Sequence, residues 1–309
     1  MSTARKFIGK LLIIAVSLII ADQLAGRWLA RAYSRIAHGP QGHMNYAIDS
    51  TTAPLLILGS SRAIHHYVPD ILTDSLHLAC YNAGKEAQGL FYPLAILTAA
   101  LRRYHPATLV LDLQPTAFTT EKTDPDNLAV LLPYYHTHPD LRPILDKRSP
   151  WERWKTLSWL YCYNSLAVQI VKHTIVDVES DSTSLGYAPK FGTLRVRPGN
   201  DFPGALLSDA PDSALVNAFQ SIISLAQQNH CRLTVVVSPI YFPLQHGSST
   251  IRTAAEICRR RNIPFLDYSR SPDFATHDYL FYDGSHLNDS GARKFTRLLS
   301  SDLHFLLSL

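Results

Sequence analysis

Two short segments of the sequence carry residue types that could together perform acyl transfer. In the first, the apolar run 55–58 ends at Gly59, and Ser60 and Ser61 follow directly. In the second, Asp283 and His286 lie three residues apart, just before a predicted final helix. A serine hydroxyl, an imidazole base and a carboxylate that orients the imidazole form a Ser-His-Asp triad. The sequence therefore predicts a serine nucleophile with His286 as its base and Asp283 behind the imidazole.

The elements that must position these residues alternate between predicted strands and predicted helices. The predicted strands are 55–58, 77–81, 108–113, 232–238 and 263–267, and the predicted helices are 69–76, 90–104, 215–228, 249–261 and 290–306. This alternation predicts an α/β fold, a flavodoxin-like three-layer α/β/α sandwich with a central parallel sheet of about five strands. In such sheets ligands bind at the carboxyl ends of the strands, where Ser61 is expected.

A long irregular insertion, about residues 114–211, separates the third and fourth predicted strands. It contains Trp151, Trp154 and Trp159 and is expected to hold one helix near 151–174. Loops of this length are usually functional. The aromatic residues fit either packing or a platform for sugars, and the sequence leaves both interpretations open.

The amino-terminal region predicts a membrane anchor. Residues 11–21 are apolar apart from Ser17, and a helix over 7–26 would reach about 30 Å, enough for a membrane span. A cleaved signal peptide is the alternative, but no good A-x-A site follows. We expect a retained anchor over 1–30, a polar stalk over 31–53, and one catalytic domain over 54–309 that includes the insertion.

The orientation of this single-pass anchor is poorly determined by charge. Three basic residues precede the apolar segment and three follow it, so the positive-inside count is a tie. Because only four residues precede Arg5, we expect the catalytic domain on the extracytoplasmic side of the inner (cytoplasmic) membrane.

Composition argues against several other functions. The 309 residues are 46% hydrophobic with a net charge of +4, and the longest basic run is 259–261, so no nucleic-acid partner is expected. No nucleotide-binding motif occurs, and no cofactor is expected. His65 and His66 lack a second ligand cluster, so no metal is expected. The four cysteines are spaced as buried thiols, with a Cys231–Cys258 disulfide left open.

The segments that could carry chemistry resemble the conserved blocks of the SGNH (GDSL-type) hydrolase superfamily. Gly59-Ser60-Ser61 stands where that family has Gly-Asp-Ser, and residues 283–286 match its closing DxxH block. Residues 82–87 stand where its second block supplies an oxyanion donor, which implies roles for Gly84 and Ala87. The resemblance implies that Ser61 rather than Ser60 is the nucleophile.

The sequence departs from the family pattern on the oxyanion side. Ser60 replaces an aspartate, and Ala87 replaces a glycine. The third block reads Asp-Leu-Gln-Pro-Thr over 112–116, so the family's oxyanion asparagine is missing. Gln114, Thr116 or Arg62 would have to substitute for it. Since one oxyanion donor commonly contributes about 10²–10³ in rate, reduced or narrowed activity is one consequence.

With its anchor, the chain resembles membrane-tethered SGNH-like proteins that serve polysaccharide or teichoic-acid acylation beside membrane-bound O-acyltransferases. The resemblance implies a serine esterase or O-acyltransferase that acts on acyl esters of cell-envelope glycans. Its expected partners are the lipid bilayer, an acylated glycan or polymer, and a membrane-bound O-acyltransferase. The alternative is a catalytically decayed partner or glycan-binding protein of such an acylation complex.

Overall fold

The computed structural model describes residues 3–119, 124–175, 185–195, 210–242 and 248–308. The chain forms two compact units, one of residues 1–45 with 128–181 and the other of residues 46–127 with 182–309. The expected boundaries of anchor, stalk and catalytic domain stay a prediction.

The second unit is built on a five-stranded parallel sheet of order β2-β1-β3-β4-β5. The strands are β1 (Leu55–Leu58), β2 (Cys80–Asn82), β3 (Thr108–Asp112), β4 (Arg232–Val237) and β5 (Phe265–Asp267). Strands β1 and β3 are buried along their whole length, as expected when helices cover both faces of a parallel sheet. This order is that of flavodoxin-like folds, so the predicted fold class is confirmed.

The helices follow the sheet in chain order. They are α1 (Thr3–Ser34), α2 (Gly39–Asp49), α3 (Ser61–His66), α4 (Pro69–Leu76), α5 (Phe91–Leu101), α6 (Asp124–Asn127), α7 (Arg142–Leu145), α8 (Glu152–Lys155), α9 (Ala167–Ile175), α10 (Ser213–Gln228), α11 (Ser249–Arg261) and α12 (Asp289–Ser308). Helix α12 packs against α3 and α4, while α5 packs against α10 and β1. All four cysteines are buried as free thiols.

One side of the sheet carries the core that supports the candidate site. Leu55 and Ile57 of β1 lie two residues apart, so both point to this side, where they join Phe295 and Leu299 of α12 in one buried cluster. Thr296 ties α12 to the end of α3, because its Oγ1 accepts from the Val68 N–H at 3.1 Å and lies 3.1 Å from the His66 carbonyl oxygen. Helix α12 therefore holds α3 in place.

The first unit contains helix α1, which is long and apolar enough to cross a membrane, with a mean hydropathy of 2.0 over its most apolar 18 residues. That length and composition also fit a signal sequence. The expected polar stalk differs from the structure: residues 31–53 hold the end of α1 and all of α2. The Asn45 amide group stabilises this turn between helices by donating to Tyr33 O at 2.8 Å and Ile36 O at 3.0 Å.

The insertion does not contain the single helix predicted near 151–174. It holds α8, a 3₁₀ helix over Leu160–Tyr163, and α9, with turns between them. Upstream lie α6, α7 and further 3₁₀ helices over Leu128–Tyr134, Pro139–Leu141 and Asp146–Arg148. Elements of three to nine residues are too short to show a helical period, which explains the wrong prediction.

Candidate active site

Gly59 makes the turn from β1 into α3 that delivers Ser61 to the carboxyl edge of the sheet. Its φ of +149° lies in a region that favours glycine. A Cβ at this position would lie 2.8 Å from the Ala63 Cβ and 3.0 Å from the Asp112 carbonyl oxygen, too close for any side chain. Ser61 is the first residue of α3, so its N–H group has no acceptor within the helix.

The structure brings Ser61, His286 and Asp283 together. The His286 Nε2 lies 2.9 Å from Ser61 Oγ, and the His286 Nδ1 lies 2.9 Å from Asp283 Oδ2. Because a carboxylate only accepts hydrogen bonds, the imidazole carries its proton on Nδ1. The bare Nε2 then accepts the Ser61 hydroxyl proton, as a general base must.

Asp283 is fixed as an anion behind the imidazole. Its Oδ1 accepts from the backbone N–H groups of Ser285 and His286, each at 2.8 Å. Burial by itself would raise the pKa of Asp283, but the hydrogen bonds from the His286 ring and from these N–H groups hold the pKa below its ordinary value. The carboxylate is therefore available to stabilise a His286 cation.

His66, which follows Ser61 by five residues, supports the His286 loop from inside the protein. Its side chain is fully buried, and its Nε2 accepts from the Leu287 N–H at 3.0 Å. Its Nδ1 lies 2.9 Å from Ser238 Oγ and donates to it, since Nε2 must be unprotonated. Burial lowers the pKa of His66 well below its ordinary value, and the Arg62 cation acts in the same direction. His66 is thus a neutral positioning residue.

Asn288 holds the same loop from the other end. Its amide nitrogen donates to Gly192 O and Tyr279 O at 2.8 Å each, and its Oδ1 accepts from the Gly291 N–H at 2.9 Å in the first turn of α12. An antiparallel bridge between Phe281 and Leu287 closes the loop. Asp283 and His286 therefore lie on a loop with fixed ends.

Ala87, one of the predicted oxyanion residues, lies between two residues that contact α3 or its cap. Its φ of +58° is left-handed, a conformation that glycine adopts without strain. Both of its neighbours are tied to α3 or its cap: Glu86 Oε1 lies 2.6 Å from His65 Nε2, and the Gln88 N–H donates to Ser60 Oγ at 3.2 Å. These contacts hold the Ala87 peptide beside the Ser61 turn.

Gly84 has a structural role instead of the role of an oxyanion donor. Its N–H group is already bonded to Asn82 Oδ1 at 3.0 Å. A Cβ on Gly84 would lie 2.5 Å from the Ile64 nitrogen, so the glycine allows close approach to α3. The Asn82 amide group, which donates to Ala63 O at 2.7 Å, completes this contact.

Arg62 and Thr116 are not brought to the three triad residues by any described hydrogen bond. The Arg62 side chain is buried and donates from Nε and Nη2 to Ser238 Oγ, and from Nη2 also to Ser238 O and Pro239 O. The loop that contains Thr116 is tied to the start of α11, where Ser248 Oγ donates to Pro115 O. These contacts give no support to an oxyanion role for either residue.

A charged cluster of His65, Glu86 and Lys190 borders the site. Besides Glu86, His65 contacts the Ala188 carbonyl oxygen through Nδ1 at 2.6 Å, and Lys190 Nζ lies 3.2 Å from Glu86 Oε1. The His65 hydrogen bond, and then Lys190, lower the pKa of Glu86. No group of three or more His, Cys, Asp or Glu side chains in the described part of the chain is arranged to hold a metal ion.

Sequence reasoning considered His65 and His66 only as metal ligands and missed their positioning roles. For His65, the spacing from Ser61 was an available signal. Residues four apart on a helix share a face, so His65 had to lie on the side of α3 that carries Ser61. For Asn82 and Asn288 the type of residue gives no such signal, because their partners are backbone groups distant in sequence.

The fold and the site define a flavodoxin-like α/β protein with a Ser-His-Asp arrangement at the carboxyl edge of its sheet. No protein-family model matches the sequence, and neither does any curated protein.

Two solved structures are similar to this chain. One is a protein assigned as lipolytic, of the G-D-S-L family, from Desulfitobacterium hafniense DCB-2, with a TM-score of 0.40 at 10% identity over 80% of this chain and 97% of that one. The other is a protein assigned as an acylhydrolase from Bacteroides fragilis NCTC 9343, with a TM-score of 0.39 at 12% identity over 81% of this chain and 87% of that one. With scores and identities this low, neither structure informs the activity of this chain.

Proposed function

We propose that the protein is an SGNH-type serine esterase or O-acyltransferase. The observation that carries the proposal is the chain of contacts from Ser61 Oγ to His286 Nε2 at 2.9 Å and from His286 Nδ1 to Asp283 at 2.9 Å. Such a chain activates a hydroxyl for attack on an ester carbonyl. It has the distances of a working nucleophile and base even without substrate.

In the proposed reaction, Ser61 Oγ attacks the acyl carbonyl while His286 takes the hydroxyl proton. Asp283 stabilises the imidazolium, and N–H groups of Ser61 and Ala87 hold the oxyanion. The ester's alcohol leaves with the proton from His286, so the acyl group remains on Ser61. Water or a sugar hydroxyl then gives its proton to His286 and takes the acyl group, and His286 returns that proton to Ser61 Oγ. The acceptor, water or sugar, makes the enzyme a hydrolase or a transferase.

We also propose that α1 is retained as a membrane anchor with the site on the extracytoplasmic side. Asp22 of α1 accepts from the backbone N–H groups of Trp159 at 3.0 Å and Leu160 at 3.2 Å, and Gly26 packs against Trp159. A signal peptide destined for removal has no need of such contacts. Amino-terminal sequencing of membrane-extracted protein should find residues before Asp22, whereas a mature terminus between Asp22 and Tyr33 would support cleavage.

An anchored esterase is confined to substrates at the membrane surface. Acyl esters of cell-envelope glycans are therefore the proposed substrates, with a membrane-bound O-acyltransferase as the proposed partner. Glycan acetylation in cells that carry Ser61→Ala should differ from that in wild-type cells. Unchanged acetylation would contradict this choice of substrate but not the esterase chemistry.

A catalytically inactive partner is the second candidate, and the oxyanion side favours it. Arg62 is committed to Ser238, Gly84 is committed to Asn82, and Thr116 has no described hydrogen bond to the triad. Labelling of the full-length protein with a fluorophosphonate separates the two candidates. A folded protein that is neither labelled nor able to hydrolyse small aryl acetates would be the inactive partner.

A further inference from the structure

The helical turns over residues 151–158 have their polar and apolar sides reversed with respect to a helix in water. Glu152 and Thr156 face inward and are each 1% exposed. Trp151, Trp154 and Leu157, three residues apart, face outward and are 66%, 62% and 67% exposed. We call these three side chains the outer aromatic face. Clustered exposed apolar residues of this kind mark a contact with a protein or a membrane.

The inward polar side is held by hydrogen bonds and ion pairs, so the reversal is built into the segment. The Glu152 carboxylate accepts from Tyr161 Oη at 2.9 Å and forms an ion pair with Arg148. The Thr156 hydroxyl donates to the Glu152 carbonyl oxygen at 3.0 Å. Burial of Trp151 and Trp154 would require the segment to turn over, and that rotation would break these bonds. Trp159, in contrast, stacks on His136 with ring centroids 4.2 Å apart and serves packing.

The segment is attached to α1 where the apolar part of that helix ends. Asp22, the first charged residue after the apolar run, accepts from Ser158 Oγ and from the N–H groups of Trp159 and Leu160. Gln23 Nε2 donates to the Leu157 carbonyl oxygen at 3.3 Å. One turn later, Gly26 lets α1 approach Trp159, because a Cβ there would lie 2.3 Å from the Trp159 Cβ.

The length of the apolar run places this attachment at a membrane surface. Residues 7–21 extend about 22 Å as a helix, whereas the hydrocarbon core of a bilayer is about 30 Å thick. The bilayer must therefore reach Asp22 and the chain bonded to it. At this depth tryptophan is the favoured side chain, because its ring is apolar and its N–H group bonds to the headgroup layer. Exposed Arg153 and Lys155 lie beside the outer aromatic face. Arg153 suits anionic lipids, whereas Lys155 also pairs with Glu152 Oε2 at 3.7 Å.

We propose that the outer aromatic face inserts into the interfacial layer of the bilayer as a second membrane contact beside α1. This inference rests on the membrane anchor of the proposed function. A lipid surface fits better than a protein partner, because the face is continuous with the membrane end of α1 and has cationic side chains beside it. The contact extends the apolar height of the short span and fixes the rotation of α1 about its axis.

Spin labelling of the full-length protein in nanodiscs of zwitterionic and anionic lipid tests the proposal. A nitroxide is attached to a cysteine in one of four variants: Trp154→Cys, Leu157→Cys, the exposed control Ser221→Cys on α10, and the anchor control Ile14→Cys. Because all four native cysteines are buried, the unsubstituted protein measures the background. Collisions with oxygen report lipid, and collisions with a water-soluble nickel chelate report water.

We expect labels at positions 154 and 157 to favour oxygen over nickel several-fold more than the label at 221, as the label at 14 also should. Nickel access at 154 and 157 equal to that at 221, with a lipid-exposed label at 14, would overturn the second contact and leave the anchor intact. Nickel access at 14 would remove the anchor itself. Protection of 154 and 157 in native membranes but not in lipid nanodiscs would show a protein partner and overturn the proposal.

Discussion

The nucleophile side and the oxyanion side of the candidate site are built in different ways. On the nucleophile side, Ser61, His286 and Asp283 meet through side-chain atoms at 2.9 Å, and their support comes from buried groups such as His66. On the oxyanion side, the proposed donors are backbone N–H groups, and Ala87 has the left-handed φ of +58° that glycine would adopt without strain.

The difference indicates which side of the candidate site tolerates substitutions. A triad depends on three residue types, so a substitution there removes a chemical group. A backbone donor survives substitution of its side chain, and what counts is the conformation of the loop. We therefore expect large effects from variants on the nucleophile side and small ones from variants on the oxyanion side.

Ser61→Ala should have the largest effect. Removal of the nucleophile lowers ester turnover by about 10³-fold or more and abolishes fluorophosphonate labelling. The matched control is Ser60→Ala, which removes only the acceptor for the Gln88 N–H and should cost about tenfold at most, since one neutral hydrogen bond contributes about 1 kcal/mol. Equal losses in both variants, or labelling at Ser60, would contradict the assignment of Ser61 as the nucleophile.

His286→Ala should lower turnover nearly as much as Ser61→Ala, and the double variant should be little worse than either. Groups that act as one catalytic unit do not give additive losses. Asp283→Asn should cost less than His286→Ala. Turnover of a small aryl acetate checks all of these variants, with thermal melts to confirm folding. Losses that multiply in the double variant would show that the residues act independently.

His66→Ala should lower kcat by about 10–100-fold with little change in KM, because a small displacement of the base impairs proton transfer without touching the substrate. His66→Gln is the conservative control, since its side-chain amide can also accept from the Leu287 N–H. We expect it to restore most of the activity. If alanine and glutamine lower kcat and raise KM alike, His66 is part of the general packing and not a positioning residue.

Protonation of the same histidine should make stability depend on pH. The folded pKa of His66 lies well below its ordinary value of 6.5, so the unfolded chain binds the proton first as the pH falls. Stability from this group is full above about pH 6.5 and decreases below it, by up to about 1.4 kcal/mol per pH unit. Urea unfolding at several pH values should show a shallower decrease for His66→Gln. An identical pH profile in the variant would contradict a neutral His66.

Ala87→Gly should have the smallest effect, and it tests the oxyanion side of the candidate site. Glycine removes the strain of a left-handed alanine, about 1–2 kcal/mol. It also raises the conformational entropy of the unfolded chain, which costs about 0.4–1 kcal/mol of stability, so the net stabilisation is below about 1.5 kcal/mol. Activity should be retained, because the N–H group remains. A large loss of turnover with an unchanged melting temperature would mean that the Ala87 methyl group contacts the substrate.

Most of the sheet was predictable because buried parallel strands leave a signal in the sequence. Residues 55–58 are all apolar, and residues 233–237 are apolar or β-branched. The predicted bounds of both strands agree with the structure to within a residue. The edge strands were predicted too long at their amino-terminal ends, since short apolar segments do not mark where pairing begins. Helix α11 was predicted with its correct bounds because Ser248 caps it and Asn262 ends it in a left-handed conformation.

The site was predictable only as far as it consists of side chains with distinctive chemistry. Ser61, Asp283 and His286 could be selected by type and order, and the structure brings them together, although their catalytic roles stay a prediction. The oxyanion candidates could not be ranked, because a backbone N–H group is the same in every residue. Only the fold shows that the Gly84 N–H is already used and that Arg62 points to Ser238.

The packing of α12 against α3 has a consequence for biosynthesis. Thr296 and the buried face of α12 cover α3 and α4. Asp289, the first residue of α12, is translated 228 residues after Ser61 (289 minus 61). During that interval, the apolar side of β1 and α3 has no cover. Contacts this distant in sequence form slowly and leave nascent chains prone to aggregation. We therefore expect a holding chaperone to protect the chain until its last helix has emerged.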